Sequence, residues 1–152
     1  IAKSGKVNKK ILDKFWNISQ LTDPEKKSYD VGDFDISFAK GMSLKDGAAT
    51  LTFYTANLFI YHFKTNSMFK DLKKEKTILC GGGRKNKFLV NIIKSWNKDV
   101  KLIDDYGIDG DFVESQAFAY LAIRSFLKLP ISFPETTGCI KPSTGGVLVK
   151  NY

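Results

Sequence analysis

The chain has 152 residues, 43% apolar and 26% charged, with 24 Lys and Arg against 16 Asp and Glu for a formal net charge of +8. Such a composition describes one globular domain and excludes a disordered, collagenous or coiled-coil chain, and at this size roughly two-thirds of the unfolded surface can be buried. No apolar run reaches the ~20 residues of a membrane-spanning helix, and Lys3, Lys6, Lys9 and Lys10 are not followed by the apolar stretch of a secretory signal.

In chain order, Ile11, Leu12, Phe15 and Trp16 recur at helical spacing and predict a helix over residues 7–16. Residues 22–35, with Pro24, Gly32 and many charges, read as a loop. Ser43 followed by Asp46 three residues on is a capping box, and it opens a long helix that should end before Thr65. Residues 66–76 form a polar connection in which Lys70, Lys73, Lys74 and Lys76 cluster. Residues 77–80 are a short apolar strand that stops abruptly at Gly81-Gly82-Gly83. A helix over 86–96, a second strand over 100–103 and a turn at Asp104-Asp105-Tyr106-Gly107 follow. Strand, helix and strand in so few residues make a parallel βαβ unit. The last long helix, 111–127, is apolar almost all round and is expected to be buried in a larger structure. After Gly145-Gly146, Val147-Leu148-Val149 reads as an edge strand.

The positive charge is nearly all lysine spread along the chain, with arginine only at Arg84 and Arg124. Base readout favours the forked guanidinium, so a solvated lysine surface is expected rather than a nucleic-acid partner. Cys80 and Cys139 lack metal-ligand spacing and are expected as reduced thiols of a cytoplasmic protein with no membrane partner. His62, the one histidine, falls near the end of a predicted helix, and a serine-type triad has no support. Because the chain opens on Ile1 and not on methionine, part of something longer is expected.

Two features carry chemistry. Gly81, Gly82 and Gly83 strip a strand-to-helix turn of side chains, so backbone amides can approach a phosphate or ribose there. The turn lies at a strand's carboxyl end, where ligands of open α/β sheets bind. It lacks both the P-loop and the dinucleotide spacing, and the same glycines would equally serve a tight turn needing positive φ. Asn86 stands at the N-cap of the next helix and faces whatever the glycines face. Asp111 and Glu114, three apart, can be N-cap and N3 of the apolar helix; alternatively a carboxylate there projects into the same cleft and bonds sugar hydroxyls or orients a nucleophile.

Ser4-Gly5-Lys6-Val7, Lys27-Ser28, DGAATLTFYTA from Asp46, CGGGRKN from Cys80, GIDGDFVESQAFAYL from Gly107, Leu129-Pro130 and Thr137-Gly138 occur in an order and spacing that resemble anhydro-N-acetylmuramic acid kinases. The resemblance implies a partial ribonuclease-H-like, actin-like ATPase lobe, α/β and helix-rich, with all 152 residues forming the C-terminal lobe of a two-lobed sugar kinase. It implies ATP and Mg²⁺, phosphoryl transfer to O6 of 1,6-anhydro-N-acetylmuramic acid, and opening of the anhydro bridge by a water to give the 6-phosphate used in peptidoglycan recycling. Gly81, Gly82, Gly83 and Asn86 would then lie at the nucleotide and Glu114 at the sugar. The Gly-Thr-Ser-x-Asp-Gly phosphate loop and the aspartate base would lie upstream of Ile1, leaving this chain alone without turnover. The N-terminal lobe is the implied partner, a homodimer is compatible, and the rival reading is a non-catalytic nucleotide- or sugar-binding remnant. Three departures stand out. Tyr29-Asp30-Val31-Gly32 replaces an arginine-bearing run, Arg84 replaces a frequent small residue, where it either adds a phosphate contact or faces solvent, and the tail Cys139-Ile140-Lys141-Pro142-Ser143 is unlike the usual one.

Overall fold

The computed structural model describes residues 1–16, 31–65 and 76–149. Its elements are α1 (Lys9–Trp16), α2 (Leu44–Thr65), β1 (Thr77–Leu79), α3 (Lys87–Trp96), β2 (Val100–Leu102), α4 (Val113–Phe126) and the short α5 (Pro134–Thr137), joined by 3₁₀ turns. The fold is α/β, helix-rich, with one two-stranded sheet among the described residues. The expected loop over residues 22–30, including Lys27-Ser28 and Tyr29-Asp30, and most of the lysine cluster at Lys70, Lys73 and Lys74 lie outside the described residues.

The long helix α2 organises the packing because it is apolar on two sides. Tyr54 and Leu58, one turn apart, join Leu12 of α1, with Val7, Phe15, Phe34, Phe38 and Phe53 around them. Ala56 lies about 200° around the helix from Tyr54 at 3.6 residues per turn. It meets Ile93 of α3 and Val100 of β2, flanked by Phe59, Leu79, Leu89 and Ile92. Ala49 and Ala56 are fully buried, and their small side chains let neighbouring backbones come close. Ser43 caps α2 as expected, its Oγ accepting from Asp46 N at 3.2 Å. The other half of the box goes elsewhere: Asp46 Oδ1 accepts from Lys6 N at 2.7 Å, and this contact with Lys6 chiefly, then Ser43, lowers the Asp46 pKa. Asn8 N donates to the buried Thr50 Oγ1 at 3.1 Å. At Gly5 a side chain would run into the Lys45 carbonyl, so glycine there lets the 4–8 strap lie on the start of α2.

The βαβ unit forms as its sequence pattern indicates, with β1 and β2 parallel and Thr77, Ile78 and Leu79 opposite Val100, Lys101 and Leu102. Two expectations are corrected. Val147-Leu148-Val149 forms no strand and is 69–90% exposed; the pairing nearby is an isolated antiparallel bridge between Ser132 and Ser143. Residues 111–112 precede α4, whose N-cap is Phe112 without a side-chain cap, because Asp111 is engaged by Arg84 and Lys85. The apolar helix α4 is expected to be covered only in a larger structure, and within this chain its face is open: Phe118, Tyr120, Ile123 and Phe126 are 58–67% exposed.

Candidate functional site

The site is built where the two parallel strands end. After β1 the chain passes Cys80 and turns at Gly81, whose φ of 76° is strained for any side chain. Residues 82–85 make one 3₁₀ turn, closed by Arg84 N to Gly81 O at 3.3 Å and Asn86 N to Gly83 O at 3.0 Å. The first amides of such a turn have no partner inside it. A Cβ added at Gly82 would meet nothing within 4 Å, so the turn faces open space. Both readings of the glycines are therefore met, at different residues: Gly81 supplies the positive φ and Gly82 the bare surface.

Asn86 caps α3, its Oδ1 accepting from Phe88 N at 3.1 Å and Leu89 N at 3.3 Å. Its amide reaches Thr52 Oγ1 of α2 at 3.4 Å, which ties the cap to the central helix.

After β2 a 3₁₀ turn over Ile103–Tyr106 closes on Gly107 in the left-handed region, φ 75°. The loop then returns to the glycine turn, where Gly81 N donates to Gly110 O at 3.0 Å. Glu114 stands on the first turn of α4, exposed, four residues beyond Gly110. The structure thus brings the glycine turn and the 107–111 loop into direct contact and carries Glu114 on the element that leaves this loop.

Sequence reasoning missed what joins them. Arg84 neither faces solvent nor stands free for a phosphate: its side chain is 5% exposed beside Asp104, Asp109 and Asp111. Nε and Nη2 fork onto Asp104 at 2.6 and 2.9 Å, and Nη1 donates to Asp111 Oδ1 at 2.6 Å and to Gly81 O at 3.0 Å. Lys85 Nζ adds a 2.5 Å contact to Asp111 Oδ2. The Arg84 hydrogen bond is the main reason the Asp104 carboxyl is held down at about 2. Arg84 first and Lys85 second lower Asp111, while Asp104 and then Asp111 raise Arg84. Gly110 is buried under this guanidinium, and a Cβ there would overlap Arg84 Nε and Cζ. Arg84-Lys85 follows one strand and Asp104, Asp105, Asp109 and Asp111 follow the other, a complementarity that shows only once the two strands are paired.

Among the described residues, no group of three or more His, Cys, Asp or Glu is placed to hold a metal. The carboxylates nearest the glycine turn are occupied by Arg84, so these residues do not fit as a Mg²⁺ ligand set. Cys80 is exposed and Cys139 half-buried, both free thiols. His62 lies in the last turn of α2, and no described helix is long and apolar enough to cross a membrane.

Residues 1–151 match the family model described as anhydro-N-acetylmuramic acid kinase. The chain is 49% identical over 152 residues to the anhydro-N-acetylmuramic acid kinase of Pelagibacter ubique (strain HTCC1062), covering 97% of this chain and 40% of that protein. It is 37% identical over 147 residues to the kinase of the same name from Zymomonas mobilis subsp. mobilis, covering 96% of this chain and 39% of that protein. The chain therefore spans about 40% of the length of these relatives. A match that runs through both strand-end turns and nearly every residue between the termini makes this chain a member of the anhydro-N-acetylmuramic acid kinase family.

Proposed function

We propose that this chain is the C-terminal lobe, of ribonuclease-H type, of a cytoplasmic kinase that transfers the γ-phosphoryl group of ATP to O6 of 1,6-anhydro-N-acetylmuramic acid, with a water opening the anhydro bridge. The observation that carries the reading is the 3.0 Å bond from Gly81 N to Gly110 O, which sets a side-chain-free turn beside the loop that leads to Glu114 at the strands' carboxyl ends. Ligands of parallel sheets bind at that edge. Gly81, Gly82 and Gly83 let the nucleotide approach main chain, and Asn86 fixes the start of α3 beneath it. Glu114 bonds a sugar hydroxyl or orients the water. The general base and the first phosphate loop belong to the N-terminal lobe, and any Mg²⁺ would have to be held by groups other than these residues. Phosphoryl transfer rests mainly on positioning and charge neutralisation, so a lobe that positions one face of the cleft cannot turn over alone.

Steady-state kinetics on the full-length protein test this reading. Glu114→Gln should raise the KM for the anhydro sugar about tenfold, the scale of one lost charged hydrogen bond, with the KM for ATP unchanged. The 152-residue chain alone should give no 6-phosphate product. Full-length protein that binds the sugar and ATP without turnover would favour the non-catalytic remnant instead.

A further inference from the structure

Arg84 is the most deeply buried charge at the strand ends, and its bonds run in three directions. One reaches back to Gly81 O on its own turn, two fork onto Asp104 after β2, and one reaches Asp111 before α4. All of them radiate from one planar group, so moving any one anchor strains the others. Lysine has a single point of charge and cannot hold these partners together in fixed directions. Gly110 lies directly beneath the guanidinium and must be glycine for it to fit. The Gly81 N to Gly110 O bond lies inside this arrangement.

We propose that Arg84 is a positioning residue that sets the spacing between the glycine turn and the 107–111 loop, and through it the fit of the nucleotide against Gly82 and Gly83. The inference rests on the nucleotide reading of the glycine turn. Arg84 touches no substrate; it acts through the two backbones it joins. A guanidinium needed only for its charge would be replaceable by lysine, whereas one needed for its fork would not.

The test is steady-state kinetics on the full-length protein carrying Arg84→Gln, Arg84→Lys, Asp111→Asn or Gly82→Ala. Arg84→Gln and Arg84→Lys should each raise the KM for ATP at least tenfold, with kcat and the KM for the sugar within about twofold of the parent, a tenfold change being about 1.4 kcal/mol. Asp111→Asn, which keeps the fork on Asp104, should raise the ATP KM several-fold and serves if the Arg84 variants do not fold. Wild-type ATP KM in Arg84→Lys or in Asp111→Asn, or equal losses for ATP and sugar, overturns the proposal. Gly82→Ala puts one methyl into open space and disturbs nothing within the chain, so it reports on the nucleotide reading separately. If Gly82→Ala raises the ATP KM while the Arg84 variants do not, the site stands and the role of Arg84 falls. If Gly82→Ala leaves the ATP KM unchanged, the site reading falls and this proposal falls with it.

Discussion

Two side chains at the strand ends stabilise the fold in different ways, Asp104 through its charge and Asn86 through its shape. Asp104 is held at about 2 by Arg84, below the usual carboxylate value of 3.8. A lowered folded-state pKa contributes stability that is present above about pH 4 and is lost as pH falls toward 2. Urea denaturation from pH 6 down to 2 should therefore show a steep acid limb in the parent, and Asp104→Asn should be less stable at pH 6 and flatter below pH 4. Asn86 makes a demand of shape. Its Oδ1 takes two amides of the first turn of α3, so Asn86→Ala should cost about 1 kcal/mol and Asn86→Asp should recover most of it, read from the denaturation midpoint. That cap was legible from a single asparagine before an apolar periodic run. The Arg84 fork was not, because it joins residues 20 to 27 positions apart in sequence, and only the parallel pairing of β1 and β2 brings them together.

The elements were legible wherever a segment's own pattern set its partner. α2, α3 and both strands lie within a few residues of their expected positions, since each has a clear apolar face and a cap, glycine or charged boundary. Where a boundary side chain found a better partner, local reading missed: Asp111 left the N-cap of α4 for two cations, and Asp46 left the capping box for Lys6 N. Val147-Leu148-Val149 has β-type residues but pairs with no described strand, and unpaired backbone does not hold a strand. Packing of the βαβ unit on α2 depends on a few contacts. Ile93, 4% exposed, is wedged against Ala56 and Val100, so Ile93→Ala should cost about 2–5 kcal/mol by leaving a cavity between α2 and the sheet. Chemical denaturation of the full-length protein, with the midpoint compared at unchanged slope, measures it.

At the scale of the molecule, one apolar helix is left largely uncovered. Phe118, Tyr120, Ile123 and Phe126 leave α4 with an apolar surface that no described residue buries. Contiguous apolar surface of this kind favours association. Expressed as these 152 residues, the chain should bind a hydrophobic dye and elute from size-exclusion chromatography in a concentration-dependent way; the full-length protein should do neither. Phe118→Asp with Ile123→Asp should lower dye binding and leave the melting temperature of the 152-residue chain nearly unchanged, because neither side chain is buried there.

Periodicity, caps and glycine punctuation by themselves determined α1 to α4, the two strands and the bare turn after β1, because each depends on neighbours a few positions away, and the short strand–helix–strand order then implied the parallel βαβ unit. Tertiary structure alone decided that Arg84 lies buried among carboxylates and that Gly110 lies beneath it. Both are relations between distant segments, fixed by which strand ends meet.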